Sequence, residues 1–227
     1  MTFYFRKLAM DMDGAYELVV ARNPQKVVNA EFDDAIKPHV KFLKIQVYAL
    51  NDLGDEQVLN ISSGLHNLER LSLSAVWDVT DQGYDSFFGN VRNLRGIELG
   101  EWIFTDARMA IMAKHCRGLE DVMIHHHKSL TNRAIEAFVH FETPLVNLSI
   151  IHCDYIHCRA IEALVQQCKT LRSLCYTGTL SPLVIQAIAD SSVCKLSTYK
   201  HNFMTNGSLV ALPEESALQV EFLDGDD

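Results

Sequence analysis

The stretch CRGLEDVMIHHH, residues 116–127, sets Leu119, Val122 and Ile124 at the spacing L-x-x-L-x-L, with Cys116 ahead and His127 behind. The period-two pair Val122 and Ile124 suits a short strand with one buried face. The next apolar residues, Ala134, Ile135, Ala137 and Phe138, have the spacing of an amphipathic helix. A strand feeding a helix makes one βα unit, which cannot bury its apolar face alone.

Outward from this stretch the pattern recurs. Leu68, Leu94, Leu119, Leu145 and Leu171 are separated by 26, 25, 26 and 26 residues. Each is followed by an apolar pair: Leu71/Leu73, Ile97/Leu99, Val122/Ile124, Leu148/Ile150 and Leu174/Tyr176. A fixed period of roughly 20–29 residues with this form is the signature of a leucine-rich repeat. Thr80-Asp81, Thr105-Asp106 and Thr131-Asn132 mark equivalent helix starts, where a Thr side chain accepts a bond from an orphan helix N–H. Ser181-Pro182 gives the same punctuation, with Pro at the first helical position. Weaker copies run through Ala15/Leu18/Val20/Asn23, Val40/Leu43/Ile45/Tyr48, Val193/Leu196/Thr198 and Ala217/Val220/Phe222.

The expected fold is therefore an α/β solenoid: a right-handed curved array with parallel strands on the concave side and helices on the convex side. Eight or nine units are expected over residues 15–223, clearest over 68–189, between an N-terminal extension (1–14) and an acidic tail (224–227).

Composition narrows the function. A net charge of −9 leaves no basic stripe for nucleic acid. No apolar run reaches the roughly 18 residues that would cross a membrane. Met1–Met12 carries Arg6 and Lys7 but lacks the apolar core of a secretory signal. Six cysteines in such a chain read as reduced thiols, with the cytoplasm as the expected compartment and nucleus or mitochondrion as alternatives. Gly-x-Ser-x-Gly elbows, phosphate loops and Walker lysines are missing from the sequence. A non-catalytic binding protein without a cofactor is expected.

Binding is expected on strand residues that flank the buried pairs and point to the concave face. These are Arg70, Ser72 and Ser74; Gly96, Glu98 and Gly100; Asp121, Met123 and His125; Asn147, Ser149 and Ile151; Ser173, Cys175 and Thr177. Partner contacts are assigned to Arg70, Ser72, Glu98, Asp121, Met123, His125, Asn147, Ser149 and Ser173. Gly96 and Gly100 are expected to leave a shallow dip. This mixed, mostly small face suits a protein or peptide surface. Trp77 and Trp102 are rival anchors, although a Trp in the turn of its unit more often fills space.

The histidines and cysteines need a separate reading. Repeat register sets His126 beside His152 and His127 beside Cys153, with Glu101 one unit earlier. Glu101, His126 and His152 could hold zinc as a row, but no paired C-x-x-C spacing supports it, and no metal is expected. His127 and Cys153 fit inward-facing turn positions. Cys116 and Cys168 fit buried corners, and the adjacent His157 and Cys158 lack any orienting group.

The combination C-x-x-L-x-x-L-x-L-x-x-C with a Thr-Asp helix start resembles the cysteine-containing leucine-rich repeats of F-box/LRR proteins and their AMN-type relatives. Cys116, Leu119, Cys153, Cys168, Leu171, Thr80-Asp81 and Thr105-Asp106 carry the resemblance, which spans Leu68 to Ala189. In that family the repeat arc holds a substrate for an SCF-type ubiquitin ligase, and a separate F-box binds the Skp adaptor. The resemblance implies a substrate-binding component associated with the Skp adaptor or a cullin. The fourteen residues before the first unit are fewer than a three-helix F-box needs, and contain no Leu-Pro-x-Glu start. The chain is expected to lack that motif. The alternative function is a structural adaptor in an organellar or cytoskeletal complex, with no ubiquitin role.

Overall fold

The computed structural model describes residues 2–7, 15–21, 37–47, 54–74, 79–100, 104–199, 204–205, 208–209, 212 and 216–223. Its strands are β1 (Thr2–Lys7), β2 (Ala15–Ala21), β3 (Phe42–Val47), β4 (Arg70–Ser74), β5 (Gly96–Leu99), β6 (Asp121–His125), β7 (Asn147–Ile151), β8 (Ser173–Tyr176), β9 (Lys195–Tyr199), β10 (Met204–Thr205), β11 (Ser208–Leu209) and β12 (Gln219–Leu223). The helices are α1 (Asp55–Ser62), α2 (Asp81–Asn90), α3 (Asp106–His115), α4 (Asn132–His140), α5 (Cys158–Gln167) and α6 (Pro182–Ala189).

β2 to β9 and then β12 lie in chain order in one open sheet, each parallel to the next. β1 falls within residues 1–14 and pairs antiparallel with β2. β10 and β11 make a separate antiparallel pair.

Register explains why this sequence stacks. Leu71, Ile97, Val122, Leu148 and Leu174 form one rung across β4–β8; Leu73, Leu99, Ile124, Ile150 and Tyr176 form the next. Every member of both rungs is buried beneath the helices, as are the five corner leucines Leu68, Leu94, Leu119, Leu145 and Leu171. Because the side-chain period is two, a one-residue slip would expose both rungs. Neighbouring strands lie about 4.8 Å apart, whereas packed helices need about 8–10 Å. Units joined on both layers must therefore curl with the strands inside.

The helix starts tie the units together. Thr80, Thr105, Thr131 and Ser181 cap their own helices, accepting bonds from the N–H groups of Gly83, Arg108, Arg133 and Val184. The first helical residue then does a second job that the spacing alone did not reveal. The Asp106 carboxylate accepts from the Thr131 N–H at 2.9 Å and from its hydroxyl at 2.6 Å. Asp55 does the same for Thr80, and Asn132 Oδ1 accepts from the His157 N–H at 2.7 Å. Each of these residues thus holds the cap of the next helix. A Cβ on Gly83 would collide with the Asp55 carboxylate, so the first turn of α2 requires glycine there.

The cysteines serve the same stacking. Cys116 and Cys168 end α3 and α5. The Cys116 thiol reaches the Val91 carbonyl at 3.8 Å, and the Cys168 thiol reaches the Thr143 carbonyl at 3.7 Å, each in the preceding unit. Burial pushes the Cys116 thiol up to about 12. All six cysteines are free thiols.

Truncation of Leu148 or Ile150 to Ala should cost roughly 2–5 kcal/mol, as buried aliphatic truncations do. Urea unfolding followed by circular dichroism reads this directly, and unchanged stability would contradict the register.

Candidate functional site

Side chains on the helix-free face form rows that run across the strands. The first row is Arg70, Gly96, Asp121, Asn147, Ser173 and Lys195. Arg70 Nη2 reaches Asp121 Oδ2 at 2.9 Å, crossing the whole width of β5. It can do so because Gly96 stands between them: a Cβ there would lie 3.2 Å from Arg70 Cγ. The expected dip over Gly96 is therefore crossed by the Arg70 side chain. Asn147 donates to the other Asp121 oxygen at 2.5 Å, extending the chain of polar contacts to β7.

The second row is Ser72, Glu98, Met123, Ser149, Cys175 and Ser197. Met123 is 43% exposed, among the most exposed large apolar side chains described. Ser72 is buried, flanked in register by the longer Lys44 and Glu98, and offers a partner little surface. Burial raises the Cys175 thiol above its ordinary range, and a hydrogen bond with Ser149 offsets part of that.

Together the two rows line a groove of about 490 Å³. Arg70, Glu98, Asp121, Met123, Asn147, Ser149 and Ser173 all lie in its lining, with Phe42, Gly96 and Cys175. His125 is at its edge, with Nε2 3.5 Å from Glu98 Oε1. At the far end of the face Lys195 pairs with Glu221 at 2.8 Å. Arg70 with Asp121 and Lys195 with Glu221 are matched in place, and Glu98 lies beside His125, so the groove presents no single-sign field. It can offer apolar contact over Met123 and hydrogen bonds from Asn147, Ser149 and Ser173.

Beyond the groove, where β6 and β7 end, the rings of His126 and His152 stack with centroids 4.8 Å apart and planes at 24°. The register placed these two side by side. Their supposed third member, Glu101, lies outside the described residues, as do Trp77 and Trp102. Among the described residues no three His, Cys, Asp or Glu side chains come together as a metal-binding group.

His127, Cys153, His157 and Cys158 take places set by the repeat. His127 is fully buried in the turn, and burial lowers its imidazole to about 4. Among the described residues neither ring nitrogen makes a hydrogen bond of good geometry. The carbonyls of Leu99 and Gly100 favour the protonated ring and offset only part of the burial. Cys153, buried one unit on, donates to the Ile151 carbonyl at 3.4 Å. His157 stands at the N-cap position of α5, without a side-chain bond to the helix, and Cys158 is the first residue of that helix. They occupy the places of Thr131 and Asn132 in the unit before, which accounts for their adjacency.

Three participants escaped the sequence reading. Lys195, Glu221 and Tyr199 face the same side of the sheet, and the Tyr199 hydroxyl lies 3.3 Å from His152 Nε2. The template that selected Arg70 and Asp121, continued into the degenerate terminal units, would have found them. No helix among the described residues is long and apolar enough to cross a membrane.

No protein-family model matches the chain. Among solved structures it is similar to a chain in the crystal structure of the Rad7 and Elc1 complex in yeast. The identity is 14% and the TM-score 0.46, over 81% of this chain and 74% of that chain. Repeat period, parallel register and alternating helices define the class directly: the chain is a leucine-rich-repeat-like α/β solenoid.

His127 predicts an acid-sensitive fold. Its folded value of about 4 lies below the ordinary 6.5, so the unfolded chain binds the proton more readily between these values. Its contribution should be fully present above about pH 6.5 and lost as pH falls towards 4, on the order of 3 kcal/mol in all. Urea melts across that window should show the slope, and His127→Asn should flatten it.

Proposed function

We propose that the chain is a non-catalytic recognition module that captures a protein partner along its helix-free strand face. One observation carries this reading. Seven residues assigned from sequence, spread over β4, β5, β6, β7 and β8, converge on one groove in which Arg70 and Asp121 are already ion-paired. Pre-paired charges remove the cost of burying a lone ion under a partner. An exposed Met can then supply adaptable apolar contact at the centre. Extended concave surfaces are what repeat solenoids use to bind.

The finer reading is that this partner is a substrate, and that the chain is the substrate-binding component of an SCF-type ubiquitin ligase. Its support is the resemblance of the Cys-Leu repeats and Thr-Asp helix starts to the F-box/LRR proteins. The Cys116 and Cys168 bonds into preceding units fit that repeat subtype.

Affinity capture of the full chain from its own cells, beside a Met123→Lys variant, tests both levels. Met123 is exposed, so the variant should fold and melt as the parent does. A groove-bound partner should fall by roughly tenfold or more in recovery, the loss expected when about 1.4 kcal/mol of binding is removed. Full recovery with the variant would move the site off this face. The Skp adaptor or a cullin among the captured proteins would support the ligase reading. A stable partner without either would favour an adaptor outside the ubiquitin system.

A further inference from the structure

The rim beyond the groove has a feature that stacking does not require. His126 (φ 59°) and His152 (φ 52°) are both left-handed, at the same place in consecutive units. Glycine adopts this conformation without steric cost, and a side-chain-bearing residue does not. Both positions nevertheless carry an imidazole, exposed and stacked on its neighbour at 4.8 Å. The backbone there serves stacking, with the His126 N–H donating to the Ile151 carbonyl and the His152 N–H to the Thr177 hydroxyl, but a glycine would do the same, which leaves the exposed imidazoles for another role. His125 stands edge-on to His126 at 5.8 Å, and Tyr199 hydrogen-bonds His152. Glu98 lies 3.5 Å from His125. Among the described residues no carboxylate pairs with His126 or His152. In a chain of net charge −9 this rim gathers three imidazoles.

We propose that the rim formed by His126 and His152 binds a carboxylate side chain of the protein segment that occupies the groove. This rests on the groove reading above and specifies its partner. A neutral imidazole offers one N–H donor and a protonated one offers two. Two protonated rings in a stack repel each other. A carboxylate bridging them removes the repulsion and accepts charge-assisted bonds from both. The groups facing the pair are His125 with its Glu98, Tyr199 from β9, and the buried His127. Histidine is the side chain that changes charge between pH 5 and 8, so binding should tighten towards the acid side. From Met123 to His126 is three residues along the strand direction, about 10 Å. An extended partner covers that in roughly two to four residues, and alternate side chains share a face, so its acidic side chain should lie two or four positions from the apolar one on Met123.

Selection of a random peptide display library on the immobilised full chain, at about pH 6 and about pH 8, tests this. Three proteins are compared: the parent, a His126→Asn/His152→Asn double variant and Met123→Lys. Asn tolerates the left-handed backbone, so the double variant should keep its fold, checked by circular dichroism. Peptides selected by the parent should pair an apolar residue with Asp or Glu at the stated spacing. They should bind roughly tenfold more tightly at the lower pH, and both the acidic preference and the pH dependence should vanish in the double variant. Peptides lost with Met123→Lys but indifferent to the two histidines would overturn the rim and keep the groove. Peptides lost with the histidines but indifferent to Met123→Lys would keep the carboxylate rim and overturn the groove. A parent selection with no acidic enrichment would overturn the proposal outright.

Discussion

Lateral pairing of each βα unit with the next is the constraint on which everything else depends. One unit has an apolar strand pair and an apolar helix stripe but no second layer to close over its flanks. Only a neighbour in the same register covers them, and stability becomes a sum of nearest-neighbour terms. The middle units show this burial complete: Leu99, Ile124 and Leu148 are all enclosed from both sides. β12 shows the opposite. Val220 and Phe222 hold the inward positions there, paired with Leu196 and Thr198, yet Phe222 is 39% exposed. The same residue types in the same register give different burial because one flank differs.

That constraint also builds the groove. Parallel register sets equivalent positions side by side, so a row of side chains belongs to several units at once. Arg70 meets Asp121 two strands away because Gly96 lets it pass, and Asn147 joins from the next strand. The groove is therefore a property of the array, and no single unit contains it.

Much of this was legible in the sequence, and the rest was hidden for identifiable reasons. Leu71, Leu73 and their counterparts could be placed because a period of two within strands and of 25 or 26 between them leaves one consistent register. Thr131 could be read as a cap because an N-cap bond is local. Asp106 could not be read as the residue that holds Thr131, because that bond joins positions one unit apart and exists only after stacking. His157 invited a chemical reading through its neighbour Cys158, although it lies one period after Thr131 and takes the same N-cap place, without Thr131's side-chain bond. The dip over Gly96 could be read from a missing side chain, but not the Arg70 side chain that crosses it from the adjacent strand, which is a contact between units. β1 pairs antiparallel and so follows none of the repeat's spacing.

The left-handed backbone at His126 and His152 sets two selective pressures against each other. A glycine at either place would relieve the backbone and leave the buried rungs untouched. Directed evolution for heat tolerance alone would therefore be drawn to these two positions. It would deliver a hardier scaffold with a blank rim. Retention of imidazoles there across related chains would then record a trade in which solidity was given up for what the rim does.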